Sequence, residues 1–310
     1  MKKDLVTEYD LDIDDFQVIF ARSRSLKRFL KEGRPHRTLA GKTLGMIFEK
    51  ASTRTRLSFE VGMYQLGGLA LFLSTKDTQI GRGETVADTA RIMSRYLDGI
   101  MIRTFAQKTV EDLALYAAIP VINGLTDLLH PCQILSDLFT IIEQKGDYAG
   151  LKIAYIGDGN NIANSWINAA SRLPIQLSLA CPEGYDPHPG LLERGMREAR
   201  AGIHLFRDPV EAIQMADVVY TDVWASMGQE EEQEVRAKIF RSYQINQVLL
   251  GHAKNNVIVM HCLPAHRGEE ITSEVIDGPH SVVLDQAENR LHVQKAILET
   301  LMKEDRNNEL

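Results

Sequence analysis

The chain has 310 residues, 44% of them apolar and 25% charged, which is long for one domain, comfortable for two, and too apolar for a disordered, collagenous or mini-protein class. Thirty-five basic against 42 acidic residues give a formal net charge of −7, so nucleic acid and anionic membranes find no general attraction and a bound anion needs a local basic site. The longest uncharged stretch, residues 61–75, is interrupted by Gln65, Gly67 and Gly68 and falls short of the ~18 apolar residues of a spanning helix.

At the N-terminus, Lys2, Lys3, Asp4, Glu8, Asp10 and Asp12 leave no room for the apolar core of a signal peptide or the acid-poor makeup of a transit peptide, so a cytoplasmic location is expected. An amphipathic helix is predicted over about 14–32, with Phe16, Ile19, Phe20, Leu26, Phe29 and Leu30 as its apolar positions. Short apolar runs then alternate with longer periodic segments: strands at 44–48, 69–73, 100–102 and 119–122, and helices near 53–66, 85–97, 110–117 and 131–143. Alternation of this kind predicts βα units and a parallel sheet. After the polar break Gln144-Lys145-Gly146-Asp147 the pattern restarts, with strands at 152–156, 177–180, 203–206, 218–220, 257–260 and 282–284 and a last amphipathic segment near 287–303. The expected fold is α/β: two doubly wound parallel-sheet domains in series, residues 1–146 and 147–310. Cys132, Cys181 and Cys262 are odd in number and widely spaced, which fits reduced thiols rather than a disulfide framework or a Cys-x-x-Cys metal or redox site.

Chemistry-bearing residues follow the predicted strands. After the first come Ser52-Thr53-Arg54-Thr55-Arg56, hydroxyls and guanidinium groups interleaved at a helix start, where free N–H groups and the helix dipole suit a phosphate. An ordinary serine cap with solvated arginines is the bland alternative, and placement at a strand's carboxyl end favours the anion site. Arg103 follows the third strand, and His130 and Gln133 lie shortly after the fourth; all three could donate to one carbonyl or phosphoryl oxygen. Gly157-Asp158-Gly159-Asn160-Asn161 invites a dinucleotide reading, but Ile162 stands where that motif needs its third glycine. Asn161 could instead bind a polar small molecule, or the segment could be a capped turn. Asp222, Trp224, Ser226, Met227 and Gly228, after the strand at 218–220, could bind an amine and close over it. Cys262, after the strand beyond, is either packing or a substrate contact.

Taken together, Ser-Thr-Arg-Thr-Arg at 52–56, His-Pro-x-Gln at 130–133, Asp-x-x-x-Ser-Met-Gly at 222–228 and His-Cys-Leu-Pro at 261–264 resemble the carbamoyltransferases, and among them the ornithine carbamoyltransferase family, in order and over nearly the whole chain. The resemblance implies carbamoyl transfer from carbamoyl phosphate to the δ-amine of ornithine in arginine biosynthesis. It also implies a carbamoyl-phosphate domain followed by an ornithine domain, no cofactor and no metal, a homotrimer or a multiple of trimers, and a C-terminal helix returning to the first domain. It assigns Ser52, Thr53, Arg54 and Thr55 to phosphate, Arg103 to phosphate and carbonyl, and His130 and Gln133 to the carbonyl. Gln79 would reach a neighbouring subunit's phosphate site. Asn161 would hold the ornithine carboxylate, Asp222 and Ser226 its α-amino end, and Met227 would line the lid. Cys262, Leu263 and Arg290 would close around the reacting groups.

Overall fold

In the computed structural model the described residues are 3–75, 83–225 and 233–303. The first parallel sheet is built around β1 (Thr43–Phe48), whose side chains from Leu44 onward are all buried, as expected of a central strand covered on both faces. Helix α1 (Ile13–Lys31) precedes it, started by Asp12 and Asp15, each accepting from the other's backbone N–H. Then follow α2 (Thr53–Gln65), β2 (Leu69–Ser74), α3 (Val86–Tyr96), β3 (Gly99–Arg103), α4 (Gln107–Tyr116), β4 (Val121–Leu125) and α5 (Pro131–Lys145). The sheet order is β2-β1-β3-β4, all parallel. Leu5 adds a parallel bridge to Ile122. Between β3 and β4 the register slips: Ile102 faces Asn123 but Arg103 faces Leu125, a bulge at the residue whose guanidinium matters below.

A second sheet, β7-β6-β5-β8-β9, is parallel throughout, with β5 (Lys152–Ile156) at its centre. Its strands β6 (Gln176–Ala180), β7 (Ile203–Phe206), β8 (Val218–Thr221) and β9 (Ile258–His261) alternate with α6 (Asn161–Arg172), α7 (Pro189–Glu198), α8 (Pro209–Ile213), α9 (Gln233–Phe240) and α10 (Gln247–Leu250); α11 (Ser273–Ile276) and α12 (Val283–Met302) follow. Two compact units result: Met1–Phe139 with Asn289–Leu310, and Thr140–Glu288, the divisions falling inside α5 and α12. The doubly wound α/β class expected from the sequence is thus the observed one.

The C-terminal part of α12 packs on the first unit. Arg22 donates to both carboxylate oxygens of Glu299 at 2.6 and 3.0 Å, Lys27 donates to Asn289 Oδ1 at 2.8 Å, and buried Lys295 donates to Gln65 Oε1 at 2.7 Å. Burial pushes the Lys295 ammonium down to about 8, a cost its amide partner only partly offsets.

Two sequence expectations are corrected. Residues 282–284 are not a strand: Ser281 makes a single bridge to Val259, and Val283 already begins α12, because the Val-Val-Leu run leads straight into a helical pattern. The fourth strand runs Val121–Leu125 rather than 119–122, since Pro120 has no N–H to give a ladder and so stands outside the run. Among the described residues no helix is long and apolar enough to cross a membrane, and all three cysteines are free thiols.

Candidate active site

In each sheet the strand order reverses beside the first strand, between β1 and β3 and between β5 and β8, and open α/β sheets bind ligands at the carboxyl ends of strands around that reversal. The residues singled out by the sequence cluster at those ends. In the first unit, Ser52 caps α2, its hydroxyl accepting from Thr55 N at 3.2 Å, with exposed Thr53 and half-buried Arg54 opening the helix. Arg54 Nε has no hydrogen-bond partner among the described residues. The buried Thr55 hydroxyl accepts from Arg290 Nη2 at 2.7 Å, so α12 brings a second guanidinium to the same helix start. Arg103 ends β3 as a buried residue, its carbonyl accepting from Glu49 N at 2.9 Å. The carboxylate of Glu49 in turn accepts from the Thr104 hydroxyl.

His130 is buried just ahead of α5, and its carbonyl accepts from Gln133 N at 3.0 Å. Desolvation, with the guanidinium groups of Arg290 and Arg103 adding to it, holds the imidazole well below the usual histidine range. His130 is therefore neutral at physiological pH, with one N–H to donate. A stability consequence follows. Below about pH 6.5 the unfolded chain binds a proton that folded His130 refuses, so the folded state loses stability as pH falls. The thermal midpoint of the unaltered chain should fall more steeply between pH 7 and pH 5 than that of His130→Gln; parallel profiles would contradict the depressed histidine.

Gln133 differs from its sequence expectation as a donor to the carbonyl. Its Nε2 donates to Asp137 Oδ1 at 2.8 Å, one turn further along α5, and the atom left without a hydrogen-bond partner among the described residues is the buried acceptor Oε1.

The second unit offers an anionic site. Asp222 follows β8, with Oδ2 accepting from Asn160 Nδ2 at 2.8 Å and Oδ1 accepting from the Cys262 thiol at 3.0 Å and from Val223 N at 2.9 Å. Asn160 does double service, its Oδ1 capping α6 at Ile162 N, 2.9 Å away, next to Asn161, the first residue of that helix. Cys262 follows β9, and Leu263 takes a left-handed φ of 58°, held by its N–H donating to His261 Nδ1 at 2.9 Å. His261 Nε2 faces Glu270 Oε1 at 3.0 Å, which fixes the ring's tautomer. Glycine at 159 is explained by the chain's own backbone: a Cβ there would lie 2.2 Å from Pro187 N. That close approach accounts for the glycine without a pyrophosphate.

Gln79, Ser226 and Met227 lie outside the described residues. The structure also brings in residues that sequence reasoning passed over: Asn160, Asp137, Glu270 and Arg236. Buried Arg236 donates to Asp158 Oδ2 at 3.1 Å and to the carbonyl of Trp224 at 2.8 Å, with its guanidinium 4.9 Å from the centre of the Tyr185 ring. It thereby ties the turn after β5 to the one after β8. The available signals were the Asn160-Asn161 pair at a helix start and the four-residue spacing of Gln133 and Asp137; Arg236 had none. Asp222, His261 and Cys262, and separately His266, Glu269 and Glu270, hold possible metal ligands within 4.8 Å of one another. In both groups the histidine or a carboxylate is already engaged in the hydrogen bonds described or in His266 N donating to Glu270 Oε1 at 2.6 Å.

Comparison with known proteins gives one picture. Residues 3–143 match the model of the aspartate/ornithine carbamoyltransferase carbamoyl-P binding domain, and residues 149–301 that of the Asp/Orn binding domain. An ornithine carbamoyltransferase of Syntrophus aciditrophicus is 71% identical over 302 residues, covering 97% of this chain and all of that protein. One from Geobacter metallireducens is 59% identical, over 92% of this chain and 94% of the other. The solved structure of ornithine carbamoyltransferase from Pyrococcus furiosus superimposes with a TM-score of 0.94 at 53% identity, covering 97% of each chain.

Proposed function

The chain belongs to the aspartate/ornithine carbamoyltransferase family, and from this we infer that it transfers the carbamoyl group of carbamoyl phosphate to the δ-amine of L-ornithine, giving L-citrulline and phosphate. One observation carries the reading: a cationic cluster lies in the unit matching a carbamoyl-P binding domain, and a carboxylate-centred one in the unit matching an Asp/Orn binding domain.

Ser52, Thr53, Arg54 and Thr55 hold the phosphate, aided by the first-turn N–H groups of α2. Arg103 bridges phosphate and carbonyl, and neutral His130 donates to the carbonyl oxygen. The δ-amine attacks the carbamoyl carbon, a tetrahedral oxyanion forms, the carbon–oxygen bond to phosphate breaks, and the nitrogen gives up a proton. Because charge gathers on the carbonyl oxygen, fixed donors from Arg103 and His130 contribute most to the rate. Asn161 takes the ornithine carboxylate, Asp222 with Ser226 takes the α-ammonium, and Met227 lines that pocket. Cys262, Leu263 and Arg290 surround the reacting groups. Carbamoyl phosphate is already activated, so no cofactor is needed. The δ-amine resembles lysine, with an ordinary pKa of about 10.4, so roughly one molecule in 10³ is neutral at pH 7 and activity rises with pH.

The working form is a homotrimer, in which Gln79 reaches a neighbouring subunit's phosphate site, and the product feeds arginine biosynthesis in the cytoplasm. Support for assembly comes from apolar side chains left exposed on α2, Leu57 and Tyr64, and on both sides of the edge strand β2, Leu69 and Leu71 on one and Phe72 on the other. A second copy of the chain would cover what an edge strand ordinarily hides behind charge. The test of the function is product formation from carbamoyl phosphate with ornithine, N-acetylornithine, putrescine and aspartate in parallel. Ornithine should be preferred strongly, because an acylated α-nitrogen would offer Asp222 no ammonium, and putrescine, which keeps both amines, would offer Asn161 no carboxylate. Turnover with N-acetylornithine would overturn the reading of Asp222, and turnover with putrescine that of Asn161.

A further inference from the structure

We propose that Asp137 is a positioning residue that fixes the polarity of the Gln133 amide and thereby selects a carbamoyl over an acyl phosphate. This rests on the reading of the first unit as the carbamoyl-phosphate site. Gln133 and Asp137 stand four residues apart on α5, one above the other, and are 1% and 0% exposed. The Gln133 amide turns its NH₂ toward Asp137, whose Oδ1 accepts from Nε2 at 2.8 Å. Its oxygen is then left buried and without a hydrogen-bond partner among the described residues. A buried acceptor in that state is costly until a donor reaches it.

The two candidate donors differ in one group. Carbamoyl phosphate carries an NH₂ on its carbonyl carbon, and acetyl phosphate carries a methyl group there. Arg103 and His130 already supply donors for the carbonyl oxygen and treat both molecules alike. An acceptor beside them recognises only the NH₂, and a site with an unmatched buried polar atom rejects the analogue that cannot satisfy it. Turned the other way, the Gln133 amide would be a third donor to the carbonyl and would discriminate nothing. The hydrogen bond to Asp137 Oδ1 holds the amide out of that orientation.

The test compares binding of carbamoyl phosphate, acetyl phosphate and inorganic phosphate to the intact chain and to Asp137→Asn, whose side chain can offer either an oxygen or an NH₂ and so releases the amide. The unaltered chain should bind carbamoyl phosphate at least about tenfold more tightly than acetyl phosphate. In Asp137→Asn that ratio should shrink about tenfold, while acetyl phosphate and inorganic phosphate bind within about twofold of their original strength. An equal loss for all three would make Asp137 a support for the helix and overturn the proposal. If the variant fails to fold, the unaltered chain alone decides, since equal affinity for the two acyl donors would also overturn it. A chain that discriminates as described but forms no citrulline would contradict the proposed function and leave the role of Asp137 standing.

Discussion

Replacing Arg54 with alanine should lower turnover by about 10²–10³-fold, and weaken binding of inorganic phosphate, while the thermal midpoint stays within a few degrees. The side chain opens α2, half-buried, with an Nε that no group of the described residues accepts from. It therefore contributes little to packing, and its removal leaves no cavity in the core. What it offers is a fork of donors where a helix start already presents free N–H groups and Arg290 stands on Thr55. Arg56, its near neighbour, is committed otherwise, donating to Glu60 at 3.0 Å and lying 4.0 Å from the centre of the Phe72 ring. Arg56→Ala should accordingly cost far less in phosphate binding. Unchanged kinetics in Arg54→Ala would remove the phosphate site from this helix.

Asp222→Asn should raise the KM for ornithine by about 10- to 100-fold and leave that for carbamoyl phosphate within about twofold. The range corresponds to a charge-assisted hydrogen bond of about 1.5–3 kcal/mol. The carboxylate sits among donors, with Asn160 Nδ2 on one oxygen and the Cys262 thiol and Val223 N on the other. An asparagine must set its own NH₂ against one of them, so the variant loses both the charge and the geometry that presents it. Steady-state kinetics with each substrate varied in turn separates the two. Equal effects on both KM values would mean that Asp222 only braces the turn between Asn160 and Cys262.

Much of this was legible in the sequence because the signals were periodic or local. Alternating buried runs such as 44–48 and 152–156 specify parallel strands, and Ser52 before Thr53-Arg54-Thr55 specifies a helix start at a strand end. Residues 282–284 misled because β-branched composition is only a weak vote for a strand, and the helix that begins at Val283 draws its stability from packing further along, through Asn289, Lys295 and Glu299. The polarity of Gln133 was invisible for a different reason. A glutamine is donor and acceptor at once, and only its contact with Asp137 decides which end is free. Asn160 and Arg236 escaped because they act on other side chains across the second sheet, a relation that no spacing along the chain encodes.

Carbon-13 NMR of [¹³C]carbamoyl phosphate with ornithine, run alongside a phosphate assay, tests the central claim most directly. The account predicts one ¹³C-labelled ureido carbon of citrulline for each phosphate released, on the δ-nitrogen, and at a rate that rises from pH 7 to pH 8.5. Phosphate released without labelled citrulline, or label on the α-nitrogen, would contradict it.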